Sequence, residues 1–149
     1  LPSSLITALI LLNARHWFRD PLAPRQIVSW LLLTACIWPV IEGFRLLRKV
    51  GRPSRETVSG EKLAFENTTE LVTVGLYRFI RHPMYPSLLG LGWGACLKDP
   101  SATAVGLALA ASAALLATAL AEERENLAHF GPAYGQYMKT SRRFIPFVF

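Results

Sequence analysis

Three short stretches of this chain concentrate its chemistry-bearing side chains. Arg81-His82 stands between Tyr77 and Tyr85, with Pro83 and Pro86 immediately after. Glu122-Glu123 closes a long alanine- and leucine-rich run, and Arg142-Arg143 lies in the aromatic segment SRRFIPFVF. Carboxylates and tyrosine faces favour a cation, arginine favours an anion, and a glutamate can take a proton. His82 precedes a proline and is biased away from helical geometry. Pro86 lacks the N–H that would close the first helical turn onto the His82 carbonyl. Irregular backbone at membrane depth persists only where protein or a polar cavity covers it, so this stretch reads as part of a site.

Simpler roles compete. Arg78 fits a positive-inside anchor, and Tyr77 and Tyr85 fit an interfacial aromatic belt. Arg142 and Arg143 fit lipid headgroup contact. Glu122-Glu123-Arg124-Glu125 fits a solvated helix end, but carboxylates in the C-terminal half of a helix oppose its macrodipole. Ionisable groups at membrane depth are also functional candidates.

The elements that must position these residues are apolar. The 149 residues are 52% hydrophobic and 17% charged, with net charge +6 and mean hydropathy +0.31. That composition predicts one membrane-embedded domain. Lys and Arg fall in short runs between apolar segments, which fits lipid contact better than nucleic acid. Cys36 and Cys96 sit inside apolar segments and read as small hydrophobes. The chain starts with Leu rather than Met, as a processed or trimmed product would, and no small-residue cleavage site follows the first apolar stretch, which argues against a signal peptide.

Four apolar segments emerge. SSLITALILLNARHWF is short and interrupted by Asn13, Arg15 and His16, like the end of a span. Ile27 to Phe44 is about the 17–25 residues a crossing needs, with a kink expected at Pro39. The third runs from Pro83 to Leu97 and the fourth from Pro100 past Leu120. Between them, Asp99 is the expected N-cap and Pro100 the first helical residue, giving a tight helical hairpin. Gly90 and Gly94 form a GxxxG pair, and Ala104, Ala108 and Ala111 offer a small face for close packing.

With four spans, one side holds Arg45, Arg48, Lys49, Arg52, Arg55, Lys62, Arg78, Arg81, Arg124, Lys139, Arg142 and Arg143, and the other Arg15, Arg19, Arg25 and Lys98. This asymmetry predicts a cytoplasmic long loop and C-terminus. The sequon Asn67-Thr68-Thr69 would then go unused. At about 1.5 Å per residue, Glu122 lies about 33 Å from the hairpin turn and His82 about 24 Å. The third helix thus starts deeper than the fourth exits, which predicts a cytoplasm-facing recess. Gly131-Pro132 should break the helix, and PAYGQYMK should form a short helix with Tyr134 and Tyr137 on one face. There is no GxGxxG after a strand, no phosphate-binding glycine loop, no HExxH and no zinc-type cysteine spacing. His16, His82 and His129 lie on different elements, so no metal site is expected.

LVTVGLYRFIRHPMY, the glycine-rich hairpin and EERENLAHFGPAYGQYMKTSRRFIPF together resemble the isoprenylcysteine carboxyl methyltransferase and phospholipid methyltransferase superfamily. The matching positions are Gly75, Tyr77, Arg81, His82, Pro83, Tyr85, Glu122, Glu123, Phe130, Gly131, Tyr134, Tyr137, Ile145 and Pro146. Pro86 departs from the family's commoner small or apolar residue. The resemblance covers about residues 71–147, leaving 1–44 as variable N-terminal spans. It implies an all-α, multi-pass membrane fold of about four spans, with S-adenosyl-L-methionine bound in a cytoplasmic pocket. By that analogy the cofactor contacts are Leu71, Val72, Gly75, Tyr77, Arg81, His82, Tyr85, Glu122 and Glu123, and the C-terminal segment covers them.

The implied reaction moves a methyl group to a lipophilic or lipid acceptor reached from the bilayer. Such a displacement needs donor and nucleophile held in near-attack geometry in a dry site. An amine or thiol acceptor needs a base, and Glu122 or Glu123 is placed for it. A carboxylate acceptor needs an arginine, for which Arg143 is the choice. The alternatives are a non-catalytic membrane scaffold or assembly factor and an NADPH-dependent membrane reductase. Nothing in the sequence specifies the acceptor or an oligomeric state.

Overall fold

The computed structural model describes residues 1–49 and 71–148. Arg52, Arg55 and Lys62 of the charge count and the Asn67 sequon lie outside the described residues. Among those described, the fold is all helical: α1 (Pro2–Leu12), α2 (Pro24–Ala35), α3 (Ile37–Lys49), α4 (Tyr85–Cys96), α5 (Ala102–Phe130) and α6 (Pro132–Thr140). They form two compact units, Leu1–Trp38 with Tyr85–Thr118 and Pro39–Met84 with Ala119–Phe149.

Among the described residues, two helical stretches are long and apolar enough to cross a membrane, Pro24–Lys49 (26 residues) and Ala102–Phe130 (29 residues). α1 and α4 have 11 and 12 residues, about 17–18 Å at helical rise, which is short of a hydrocarbon core about 30 Å thick. The first and third apolar segments are therefore shorter helices than the sequence predicts. α4 begins at Tyr85, two residues past Pro83. The α2–α3 break falls at Cys36 rather than at Pro39. A proline offers no N–H to the carbonyl four residues earlier, here Ala35, and its ring crowds that carbonyl, so the ladder fails one turn ahead of it.

The first unit is patterned inside out. α2 buries Gln26 and Ser29 and exposes Ile27, Val28 and Leu31, the reverse of a helix facing water. The GxxxG face of α4 seats α2. A Cβ on Gly94 would lie 2.9 Å from Leu33 Cδ2 and 3.4 Å from the Ser29 carbonyl oxygen. The Ser29 hydroxyl donates to the Gly94 carbonyl at 2.7 Å. α4 meets α1 and α5 through Leu9, Ala95, Cys96, Ala104 and Ala108, and Trp93 Nε1 donates to Ser112 Oγ at 3.2 Å. The α4–α5 hairpin forms, but its cap differs from expectation. α5 starts at Ala102, and Ser101 Oγ accepts the Ala104 N–H at 3.1 Å, displacing Asp99-Pro100 from the cap.

A polar network closes the end of α4. Asn13 Nδ2 donates to the Ala95 and Asp99 carbonyls at 2.8 and 3.2 Å. Gln26 Nε2 donates to the His16 and Lys98 carbonyls at 3.1 and 3.3 Å. These amides satisfy carbonyls that a helix end leaves open. Lys98, expected as a water-facing charge, is fully buried. Its ammonium donates to Gln26 Oε1 at 3.0 Å and sits 3.6 Å from the Trp30 ring centroid, where the ring face replaces lost solvation.

In the second unit, Leu47, Val72, Tyr77 and Met84 form the apolar cluster. Gly75, at φ 60°, opens a 3₁₀ turn, Gly75–Arg78, in a conformation that favours glycine. The part of α5 in this unit buries Ala119, Glu122 and Glu123, at the same helical spacing as the buried Ala104, Ala108, Ala111 and Leu115 of its part in the first unit. Gly131, at φ 62°, turns the chain from α5 into α6, which buries Tyr134 and Tyr137.

The glycine contacts yield a paired expectation. Gly94→Ala forces Leu33 to shift and lowers stability by about 1–3 kcal/mol. Gly106, which has nothing within 4 Å of an added Cβ, gains up to about 1 kcal/mol as Ala from helix propensity. Thermal unfolding of the two variants in detergent micelles checks the opposite signs.

Candidate functional site

The site in the second unit starts from backbone. The Arg142 N–H donates to the Phe79 carbonyl at 2.8 Å, the Arg81 N–H to the Arg142 carbonyl at 2.7 Å, and the His82 N–H to the Arg143 carbonyl at 3.1 Å. The result is a short parallel pairing about an Ile80–Arg142 bridge. It gives the non-helical stretch before Pro83 the hydrogen bonds that a buried backbone requires. It also lays the C-terminal segment along residues 79–82.

Side chains then converge on Glu123. Arg81 Nε donates to Glu123 Oε1 at 2.8 Å, and Arg143 Nε donates to Glu123 Oε2 at 3.1 Å. His82 Nε2 lies 3.6 Å from Glu123 Oε1, and His82 Nδ1 lies 3.4 Å from Glu122 Oε2. Arg81 Nη1 also donates to the Met138 carbonyl at 3.1 Å and to the Ser141 carbonyl and hydroxyl. One guanidinium thus ties α5 to the end of α6. The Glu123 side chain is 4% exposed and that of Arg143 is 27% exposed, so Arg143 is the member of the cluster that reaches solvent.

Aromatic groups frame the cluster. Phe130, Tyr134 and Tyr137 follow one another at centroid distances of 6.4 and 5.7 Å, and Phe144 lies 6.2 Å from the His82 ring. The Tyr137 hydroxyl donates to the Tyr77 carbonyl. Burial raises the phenol pKa values of Tyr134 and Tyr137, which keeps Tyr137 a donor. Burial alone would lower the His82 pKa, but the Glu122 and Glu123 carboxylates outweigh it, so His82 titrates above its ordinary value.

Of the residues predicted from sequence, Arg81, His82, Glu122, Glu123 and Arg143 come together here. Val72 and Tyr77 belong to the apolar cluster of this unit. Leu71 is half-buried and Gly75 serves the turn. Tyr85 is buried at the start of α4, in the first unit. Ser141 and the Tyr137 hydroxyl were not foreseen as partners. Their signal is the spacing Tyr137-x-x-x-Ser141, one helical turn, where Ser141 Oγ donates to the Tyr137 carbonyl at 2.6 Å.

Two outcomes follow from this geometry. Glu123→Ala leaves the buried Arg81 guanidinium without its counter-charge, and breaking such a pair costs about 3–5 kcal/mol; chemical or thermal unfolding in detergent reads the loss. His82 binds its proton more tightly when folded, so its stabilising contribution is complete below the ordinary imidazole value of about 6.5. It fades as pH rises through the elevated value. His82→Gln flattens that fall in melting temperature with rising pH.

A family model described as phospholipid methyltransferase matches residues 24–136. No curated protein and no solved structure gives a match. The matched span takes in α2 to α5 and the first turn of α6, including Arg81, His82, Glu122 and Glu123. This chain belongs to the phospholipid methyltransferase family.

Proposed function

We propose that the chain is an integral membrane enzyme that transfers a methyl group from S-adenosyl-L-methionine to a lipophilic acceptor, foremost a lipid amine. The observation that carries this reading is the buried Arg81–His82–Glu122–Glu123–Arg143 cluster at the end of a long apolar helix. In this reading residues 1–149 are one domain and 71–147 its cofactor-binding part. About four apolar helices enter the bilayer, the short α1 and α4 among them. Residues 45–73, the cluster and the C-terminal segment face the cytoplasm, in keeping with the Lys and Arg asymmetry.

The residues present fit the cofactor's chemistry. A sulfonium and an amino-acid zwitterion call for carboxylate, aromatic and guanidinium contacts. Glu122, the Phe130–Tyr134–Tyr137 aromatics and the partly exposed Arg143 supply all three kinds. When bound, the cofactor supplies an electrophilic methyl group. The protein's own contribution divides between the two glutamates. Glu123 is committed to two guanidiniums and acts as the anchor that keeps Arg81 and Arg143 in place. Glu122, facing the His82 ring, is the better-placed group to take a proton from an amine acceptor. Arg143 is retained for a carboxylate acceptor. Leu71, Val72, Gly75 and Tyr77 contribute backbone contacts.

A second reading, a non-catalytic membrane scaffold, draws on the full pairing of Glu123, since an ion network that only secures residues 138–143 needs no ligand. Two measurements separate the readings. Isothermal titration of the purified chain with S-adenosyl-L-methionine should give saturable binding that His82→Ala weakens. Membranes supplied with methyl-labelled cofactor should yield a labelled lipid identifiable by mass spectrometry, at a rate about 10²–10⁴-fold lower in Glu122→Gln if a general base is lost. Neither binding nor labelling by the intact protein would leave the scaffold.

A further inference from the structure

The second unit carries an apolar surface that its own core does not cover. Phe79, Ile145, Phe147 and Val148 are 42%, 53%, 81% and 74% exposed. The Phe79 and Phe147 rings lie 5.8 Å apart, so the patch joins both of the paired stretches. Its border is cationic: the Arg78 guanidinium sits 5.6 Å from the Phe79 ring centroid, and Arg142, whose N–H bonds the Phe79 carbonyl, is exposed. Across the described residues of this unit, seven basic side chains are exposed and one acidic one, Glu125. A surface so one-sided repels a basic partner and attracts an anionic one.

We infer that this patch docks on the surface of an anionic phospholipid bilayer, with the Phe79 and Phe147 rings in the interface and Arg78 and Arg142 on headgroup phosphates. Aromatic residues flanked by arginine suit the headgroup level, where an apolar body and a charge are satisfied together. Continuity favours the bilayer over a soluble protein: the membrane-length helix α5 ends at Phe130 inside this same unit. The docking has a consequence for the cluster. The segment that bears Ile145, Phe147 and Val148 also delivers Ser141 to Arg81 and Arg143 to Glu123. Anionic lipid therefore favours the arrangement in which the C-terminal segment lies along residues 79–82. The inference rests on the family's membrane association and not on methyl transfer, so its failure leaves the enzymatic reading untouched.

The test uses the full chain in lipid nanodiscs. Its four tryptophans, Trp17, Trp30, Trp38 and Trp93, all belong to the first unit, so Phe147→Trp adds a reporter to the second. The added emission, variant minus wild type, is read with chain-brominated lipids, in discs of phosphatidylcholine alone and in discs also containing phosphatidylserine. Bromine quenching of the added tryptophan should be strong in the anionic discs and weak in the neutral ones. Each of Arg78→Gln and Arg142→Gln should lower the ratio of docked to undocked segment about fivefold. About 1 M salt, with a Debye length of about 3 Å, should do the same in the unsubstituted arginine background. An unquenched, water-like emission in anionic discs overturns the inference. So does quenching that is equal in both discs and indifferent to salt and to the arginines, or burial that depends on protein concentration, which marks a second copy as the occupant.

Discussion

The Glu123 carboxylate, buried on α5, accepts hydrogen bonds from Arg81 and Arg143 and lies beside His82. A charge removed from water is tolerable only with close, well-formed partners, so the position of this one group constrains everything around it. Arg81 must reach across with its guanidinium, and the same guanidinium then meets the carbonyls at the end of α6. The backbone of residues 79–82 must run beside residues 142 and 143 to bring both arginines to the same carboxylate. The cation Arg143, the imidazole of His82 and the phenols of α6 are all arranged by that requirement.

The placement of Glu123 begins far from the charge, in the small residues of α5. A stripe of alanines with Leu115 lets the helix pack closely, and Glu122 and Glu123 inherit its inward direction because they continue its spacing. Both glutamates are consequently buried. In the other unit the same economy of space appears on α4, where glycines admit α2 and Ser29 fills a backbone acceptor instead of an apolar gap.

Much of this was readable from residue types and order. Gly131-Pro132 announces the α5–α6 turn, and the tyrosines one turn apart announce the buried face of α6. Arg81-His82 and Glu122-Glu123 stood out as candidates because ionisable residues beside apolar runs need polar company, but their direct pairing with each other was not foretold. Boundaries were less legible. Pro39 signals a break but acts through the carbonyl four residues earlier, and Asp99-Pro100 and Ser101 are rival caps that local sequence does not rank. Lys98 could not be read at all as a buried group, because its environment comes from Gln26, Trp17 and Trp30, more than sixty positions away. Nor does periodicity disclose the Ile80–Arg142 bridge, whose two sides have no strand-like alternation.

That bridge bears on how the protein is made. The partners of Arg81 lie 57 and 60 residues further along the chain, and the backbone acceptors for the Arg81 and His82 N–H groups lie at Arg142 and Arg143. Arg81 therefore lacks its carboxylate until α5 is made through Glu123, and the carbonyl partners of its side chain until the chain reaches Met138 and Ser141. A nascent chain shorter than about residue 143 lacks the second arginine of the cluster and the backbone acceptors of Arg81 and His82, so the complete cluster forms only after α6 has been made.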